Sequence, residues 1–249
     1  MIGAGMGTPT DLQTYSLHFY KTANYPCSYL PHRQARSLVA APAHHVDTDK
    51  YSTLIQKGFR RSGTFSYRPA CDHCQACVPI RINCRDFQQR RSLHRIWVKH
   101  QDLIPTSRPL SWNKEHFDLY VRYQQARHPE SIQIHTIQAE YMQFLLTSHV
   151  HSRLIEFRSP NGHLKIVALT DYLNDGLSAV YTFYCPHTPG SLGTYAILWQ
   201  IHHAQQLKLP WVYLGYWIKE SPKMSYKTRF YPYQIYSSGQ WIDNPPLQR

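Results

Sequence analysis

Residues 153–184 read RLIEFRSPNGHLKIVALTDYLNDGLSAVYTFY, and this stretch decides the fold. Apolar and β-branched side chains crowd three runs, Arg153–Arg158, Leu164–Leu173 and Leu177–Tyr184. The breaks between them are Ser159-Pro160-Asn161-Gly162 and Asn174-Asp175-Gly176. Asp-Gly between such runs is a strong hairpin signal, so the stretch predicts an antiparallel meander. Residues 194–208 then place Ile197, Ile201 and Ala204 on one helical face, and Pro210 ends that pattern. Trp211–Ile218 (WVYLGYWI) reads as a further strand. Meander, helix, strand is an α+β arrangement.

Upstream, residues 113–127 set Phe117, Tyr120, Val121 and Gln124 at helical spacing, with Asn113 as N-cap and Pro129 as stop. Residues 138–149 predict a second helix with Met142, Leu145 and Leu146 on one face. Residues 101–112 (QDLIPTSRPLSW) contain two prolines and read as a linker. Residues 25–84 read as irregular and dense in motifs. The opening MIGAGMG has no strand before its glycines, so it reads as a frayed start and not as a nucleotide loop.

Composition bounds the function. A chain of 249 residues with 42% hydrophobic and 17% charged residues can bury a substantial core without disulfides. No apolar run is long enough for a membrane span, and the first thirty residues lack a secretory pattern. The expected location is therefore the cytoplasm, where six cysteines serve as thiols or ligands. Lys and Arg number 27 against 15 Asp and Glu, a formal charge of +12. Such a surplus attracts polyanions, and 19 Tyr with six Trp supply faces on which unpaired bases stack. The charge is concentrated in residues 85–100 (RDFQQRRSLHRIWVKH), where four Arg, one Lys and two His face one Asp.

Three constellations carry chemistry. Cys71, Cys74 and Cys77 repeat at CxxC spacing, with Cys27 far upstream. Four thiolates suit a structural zinc, an iron–sulfur cluster uses the same ligands, and a loop of reduced thiols is the plain alternative. Cys84 and Cys185 fall in strand-like runs as small core residues. Next, YPCSYLPHRQAR (25–36) presents Tyr29, Arg33 and Arg36 on a proline-stiffened loop, and GFRRSGTFSYR (58–68) pairs Arg60 with Arg61. Guanidinium forks bind carboxylate or phosphate in bidentate fashion. Finally, Asp171 lies in a strand, where a polar edge position competes with a base, and Tyr181 and Tyr184 follow on the next strand. SPKMSYKTRFYP (221–232) is a basic turn with Lys223, Tyr226, Lys227 and Arg229. Phosphate loops (GxxxxGK[ST]), HExxH and GxSxG elbows are absent from the sequence. His44-His45 and His202-His203 do not stand at ligand spacings.

Taken together, YPCSYLPHRQAR, YSTLIQKGFRRSGTFSYRPACDHCQACVPIRI, DGLSAVYTFYCP and YLGYWIKESPKMSYKTRFYP resemble the arginyl-tRNA–protein transferase family, in its bacterial leucyl-transferring branch. The likeness runs from about residue 15 to 240. It implies transfer of leucine from Leu-tRNA to proteins with N-terminal Asp or Glu, the tagging step of an N-degron (N-end rule) pathway. It implies an N-terminal region, 1–110, with Cys and Arg motifs, and an acyl-CoA N-acyltransferase-like (GNAT-like) domain, 111–249.

The roles that follow are Asp171, Tyr181 and Tyr226 at the chemistry, Arg33, Arg60, Arg61 and Tyr29 on the acceptor carboxylate, and Tyr184, Lys223, Lys227 and Arg229 on the tRNA. Eukaryotic relatives carry a different cysteine pattern, so no cluster is carried over to Cys27, Cys71, Cys74 and Cys77; structural zinc or iron–sulfur stays open there. Gln234 stands where an acidic residue is expected. Arginine as donor, and a non-catalytic zinc-containing RNA-binding module, are the alternatives. A CoA-dependent acetyltransferase is disfavoured because the connection CPHTPGSLGTYA (185–196) has no Arg or Lys for a pyrophosphate.

Overall fold

The computed structural model describes residues 16–127 and 136–243. In chain order the strands and helices are β1 (His18–Lys21), β2 (Tyr25–Pro26), β3 (Gln34–Ala35), β4 (Ser37–Ala41), α1 (Thr48–Gln56), β5 (Arg60–Ser62), β6 (Phe65–Pro69) and β7 (Val78–Asn83). There follow α2 (Arg91–His100), β8 (Ile104–Arg108), α3 (Lys114–Arg127), α4 (Ile137–Tyr141), β9 (Ser152–Arg158), β10 (Leu164–Tyr172) and β11 (Gly176–Tyr184). The chain continues through α5 (Leu192–Gln206), β12 (Trp211–Trp217), a 3-10 stretch Pro222–Arg229, β13 (Tyr233–Ser237) and β14 (Gln240–Asp243).

Eight strands form one mixed sheet in the order β14-β13-β7-β12-β11-β10-β9-β8. The meander β9–β10–β11 and strand β12 form as the sequence predicts, as does α5 between them. Asn113 caps α3: its Oδ1 accepts from the Glu115 and His116 amides at 2.8 and 3.2 Å. Every pairing in the large sheet is antiparallel except β11 with β12, which is parallel. That pair touches through only Gly176–Trp211, Leu177–Val212 and Ser178–Tyr213. Gly176 permits the approach, because a Cβ there would lie 2.5 Å from the Trp211 carbonyl oxygen.

Helices cover both faces. On one face α2 and α5 bury Leu93, Ile197 and Ile201 against Ile82, Leu177 and Val212. On the other, α3, α4 and the π turn after it bury Leu119, Tyr141 and Leu145 against Val167, Leu169 and Phe183. A second, four-stranded sheet, β1-β4-β6-β5, packs with α1 over Leu173 and Tyr213.

Three expectations need correction. Residues 101–112 are not merely a linker, because β8 pairs along β9 as the edge strand. Edge strands tolerate proline, and Pro105 sits opposite Phe157. Residues 25–84 are ordered as strands of two small sheets, α1 and β7 of the large sheet; short strands of mixed burial give little periodicity. The second helix is only Ile137–Tyr141 followed by a π turn, Met142–Leu146. Pro129 lies outside the described residues, as does the whole of the glycine-rich start MIGAGMG. The division near residue 110 falls between β8 and α3, and strands from both sides of it share the large sheet. No helix among the described residues is long and apolar enough to cross a membrane.

One ion pair joins the two sheets. Arg61 on β5 donates from Nε and Nη2 to Asp171 on β10 at 2.7 and 2.6 Å. Its Nη1 donates to Gly63 O at 2.9 Å, and Ser152 Oγ donates to Asp171 at 2.7 Å. Both side chains are almost wholly buried, at 2% and 0% exposure. Removing one member of such a pair strands the other, at a cost of about 3–5 kcal/mol, whereas an apolar pair of similar volume costs far less. Asp171→Ala should therefore lower the unfolding free energy by about 3–5 kcal/mol in urea titrations, and Arg61→Met combined with Asp171→Leu should restore most of it.

Candidate functional site

A cleft of about 950 Å³ lies between the small sheets and the strands β7, β12 and β13 of the large one. Tyr29, Arg33, Tyr67, Cys74, Cys77 and Tyr216 are among its lining residues. The β2–β3 hairpin brings Tyr29 and Arg33 there: Cys27 N donates to Arg33 O at 2.9 Å, and His32 takes a positive φ of 60° at the turn. Tyr216 holds the floor. Its buried hydroxyl donates towards Gly58 O and Tyr67 O, at 3.1 and 3.2 Å, tying β12 to the small sheet.

Beyond Ser178 and Tyr213 the parallel strands part. The pairing of β12 with β7 becomes irregular between Tyr213 and Tyr216, and Gly215 within it has φ +74°. A Cβ on Gly215 would lie 2.5 Å from the Arg60 guanidinium carbon, so only glycine admits this cation. Arg60 Nη2 donates to Val180 O of β11 at 2.8 Å. On the other side of the gap, buried Lys227 donates from Nζ to Leu214 O, at 2.9 Å, and to Tyr216 O. Two cations thus serve backbone acceptors that continued strand pairing would have used.

Neither Arg60 nor Lys227 has a carboxylate partner among the described ion pairs. The tyrosines at 29, 51, 67, 216 and 226 surround Arg60 electrostatically. Burial, and then the neighbouring Arg60 charge, pull the Lys227 ammonium down to about 7. Burial raises the Tyr29 and Tyr226 hydroxyls, although both rings stay partly open, at 40% and 37% exposure.

An aromatic wall continues the gap. The Tyr184 hydroxyl accepts from Arg127 Nη2 at 2.8 Å, its ring meets Tyr123 at 4.9 Å, and Gly193 at the start of α5 leaves room for it. Tyr123 and Tyr184 both lie within electrostatic reach of Tyr226.

The structure sorts the residues singled out by sequence. Arg33, Tyr29, Arg60, Tyr226 and Tyr184 gather around the cleft and the strand gap. Lys223 and Arg229 lie exposed on the 3-10 stretch. Arg61 and Asp171 are given to each other in the core, which corrects their readings as acceptor clamp and as a residue at the chemistry. Lys227 is turned inward onto β12 and is not a surface contact for nucleic acid. Tyr181 packs into the α3–α4 core against Phe144 and Tyr120, its hydroxyl accepting from Gln124 at 3.1 Å, so it does not face the cleft.

The four cysteines are half-buried in one neighbourhood. Cys27, Cys71 and Cys74 accept from Leu30 N, Arg36 N and Arg33 Nη1 at 3.4, 3.5 and 3.3 Å. Burial, then the other three thiols, push the Cys77 thiol up to about 12. Among the described residues no three His, Cys, Asp or Glu side chains converge as metal ligands. Gln234 accepts from Arg81 through Nε and Nη2 at 2.8 and 2.6 Å, occupying in neutral form the place where an acid was expected. Sequence reading missed Gly215, Tyr216, Tyr67, Arg127 and Tyr123. An isolated glycine inside WVYLGYWI was the available signal for a break in the strand.

A cleft lined by tyrosines and by Arg33, next to a gap in the sheet that holds Arg60, coincides with recognisable sequence families. Residues 25–95 match the model for the N terminus of arginine-tRNA-protein transferase, and residues 115–237 match the model for its C terminus. The chain belongs to this family. Among curated proteins it is 50% identical over 237 residues to the aspartate/glutamate leucyltransferase of Nitrosospira multiformis, covering 95% of this chain and 94% of that one. It is 47% identical over 234 residues to the protein of the same name from Chromobacterium violaceum, covering 94% and 96%. Among solved structures, L-PGS from Bacillus licheniformis aligns with a TM-score of 0.47 at 11% identity, over 67% of this chain and 62% of that one.

The lowered Lys227 value has a consequence for stability. Above about pH 7 the native amine is neutral while the unfolded chain keeps its proton until about 10.5. The unfolded state then binds more protons, so this site's contribution to stability rises with pH across that window. Urea unfolding of the wild type minus that of Lys227→Met should be level below about pH 6 and climb by up to about 1.4 kcal/mol per pH unit between about pH 7 and 10. A level difference throughout would return Lys227 to an ordinary lysine value.

Proposed function

We propose that the protein transfers leucine from Leu-tRNA to the α-amine of proteins that begin with Asp or Glu. The observation that carries this reading is the unequal fate of adjacent arginines. Arg61 is neutralised by Asp171, whereas Arg60 lies without a carboxylate in the strand gap, beside the cleft tyrosines Tyr67 and Tyr216, and Arg33 lines the cleft without one. Such a cleft accepts a negatively charged side chain.

In this reading Arg33 and Tyr29 hold the acceptor's side-chain carboxylate at the open part of the cleft. The terminal adenosine of the donor lies along the Tyr184–Tyr226 wall, and Lys223 and Arg229 meet the RNA backbone. The acceptor amine attacks the ester carbonyl carbon. The new C–N bond forms, the C–O bond to the ribose breaks, and the amine's proton passes to the departing ribose oxygen. An ester is already activated, and an α-amine with an ordinary pKa near 7.7–8 is partly deprotonated at neutral pH, so the reaction draws on no cofactor. Orientation supplies most of the barrier reduction, roughly 7–11 kcal/mol. Arg60 commits Nη2 to Val180, and its other N–H groups are donors towards the oxyanion, worth about 3–4 kcal/mol.

We infer also that residues 152–217 form a GNAT-like core. The support is the meander, the crossing helix α5 and the parting of β11 from β12. The reaction belongs to a cytoplasmic N-degron pathway in this reading.

Purified protein mixed with Leu-tRNA or Arg-tRNA and peptides beginning with Asp, Glu or Ala tests the proposal by mass spectrometry. Only Leu-tRNA with Asp or Glu peptides should give extended product; product with Arg-tRNA instead would reassign the donor. Arg33→Gln should raise the acceptor KM and lower kcat/KM for Asp peptides about 10–100-fold, the equivalent of losing one charged hydrogen bond of about 1.5–3 kcal/mol. Undiminished preference for Asp over Ala peptides in that variant removes Arg33 from the acceptor site.

A further inference from the structure

Helix α2 carries the densest positive charge in the chain, and the site described above does not use it. Its inner face is fixed. Leu93 is buried, Trp97 packs on Tyr195 and His202 with ring centroids at 5.4 and 4.3 Å, and His100 Nε2 bonds with Gly190 O at 2.8 Å. Its outer face presents Arg91, Arg95 and Lys99, one turn apart, all exposed, with His94 next to Arg95 in the chain, and exposed Arg85 and Arg90 precede the helix, Arg90 over the Tyr231 ring. None of these arginines or Lys99 has a carboxylate partner among the described ion pairs. The flanking acids do not compensate: Asp86 accepts from Asn83 at 2.8 Å, and Asp102 lies beyond the helix.

This pattern opposes the helix's own stability. Like charges at i, i+4 repel, and cations in the first turn meet the positive end of the helix dipole. Arg90 is the N-cap and Arg91 the first helical residue, with no acid in that turn and no side-chain cap. A row of cations about 6 Å apart, held rigidly and without partners, complements the phosphates of a nucleic-acid strand.

Its position continues the donor wall. The C-terminal end of α2 abuts Gly190, where a Cβ would lie 2.6 Å from His100 Nε2 and 2.7 Å from the Lys99 side chain. Three residues later, Gly193 supports the Tyr184 ring. The row therefore leads from the aromatic wall down the outside of the molecule.

We propose that the outer face of α2, through Arg91, Arg95 and Lys99, is the docking surface for the body of the donor tRNA. This rests on the reading of the cleft as the aminoacyl end's site. An anionic lipid surface fits less well, because a membrane-lying helix needs an apolar face towards the bilayer and that of α2 is spent on α5.

The test measures binding of fluorescently labelled, deacylated leucine tRNA by anisotropy across about 50–200 mM salt. Arg91→Gln/Arg95→Gln/Lys99→Gln should reduce the log–log salt slope by about 2 to 3 and weaken binding about 10–100-fold near 100 mM. A control with the same charge loss at Lys50, Lys114 and Arg153 should change the slope far less. Arg95→Gln alone, with a slope loss of about 0.7–0.9, replaces the triple variant if that fails to fold.

Wild-type affinity and slope in the α2 variant, or an equal loss in the control, overturns the proposal. So does binding to phosphatidylglycerol vesicles that the variant loses while its tRNA affinity is unchanged. Transfer is assayed in parallel: a wild type that binds tRNA through α2 but extends no peptide refutes the transferase reading and leaves the docking surface standing.

Discussion

The buried ion pair between Arg61 and Asp171 is the constraint on which the functional geometry rests. It bridges a short strand of the small sheet to a central strand of the large one, deep enough that neither charge meets solvent. Successive residues of a strand point to opposite sides. With Arg61 anchored on β10, Arg60 takes a separate path and ends between β11 and β12. A two-residue basic motif therefore does two jobs: one cation closes the core, and its neighbour sits, uncompensated, in the strand gap behind the cleft tyrosines.

The gap that receives Arg60 is bracketed by glycines with different duties. Gly176 lets the parallel strands touch at one end by leaving room for the Trp211 carbonyl. Gly215 opens them at the other through a positive φ and a bare α-carbon. Backbone acceptors exposed by the opening are satisfied by Arg60 and Lys227, so the parting leaves no orphaned carbonyls at these positions while concentrating positive charge. The electrostatics of the cleft are thus a by-product of how a sheet is interrupted.

Much of this was legible in the sequence where periodicity was long. The meander, α5, β12 and α3 were readable because apolar spacing and turn residues agreed. The small sheet was not, because strands of three to five residues with mixed burial carry no clear period, and β8 was disguised by its edge-strand proline, Pro105. The basic and aromatic motifs located the cleft, but the sequence could not say which of two adjacent arginines would be neutralised. That depended on a partner 110 residues away. It could not show that Lys227 turns inward or that Tyr181 faces the α3–α4 core, since both depend on packing between distant segments.

The strand order of the large sheet carries an implication for inheritance. β7 lies between β12 and β13, so a segment from the first third of the chain is the spine onto which the last third is laced. Severing the gene between the two recognised family segments would give one product with raw strand edges and another with a missing central rib. The two halves are bound to be gained, expressed and lost as one, however separately their motifs are written.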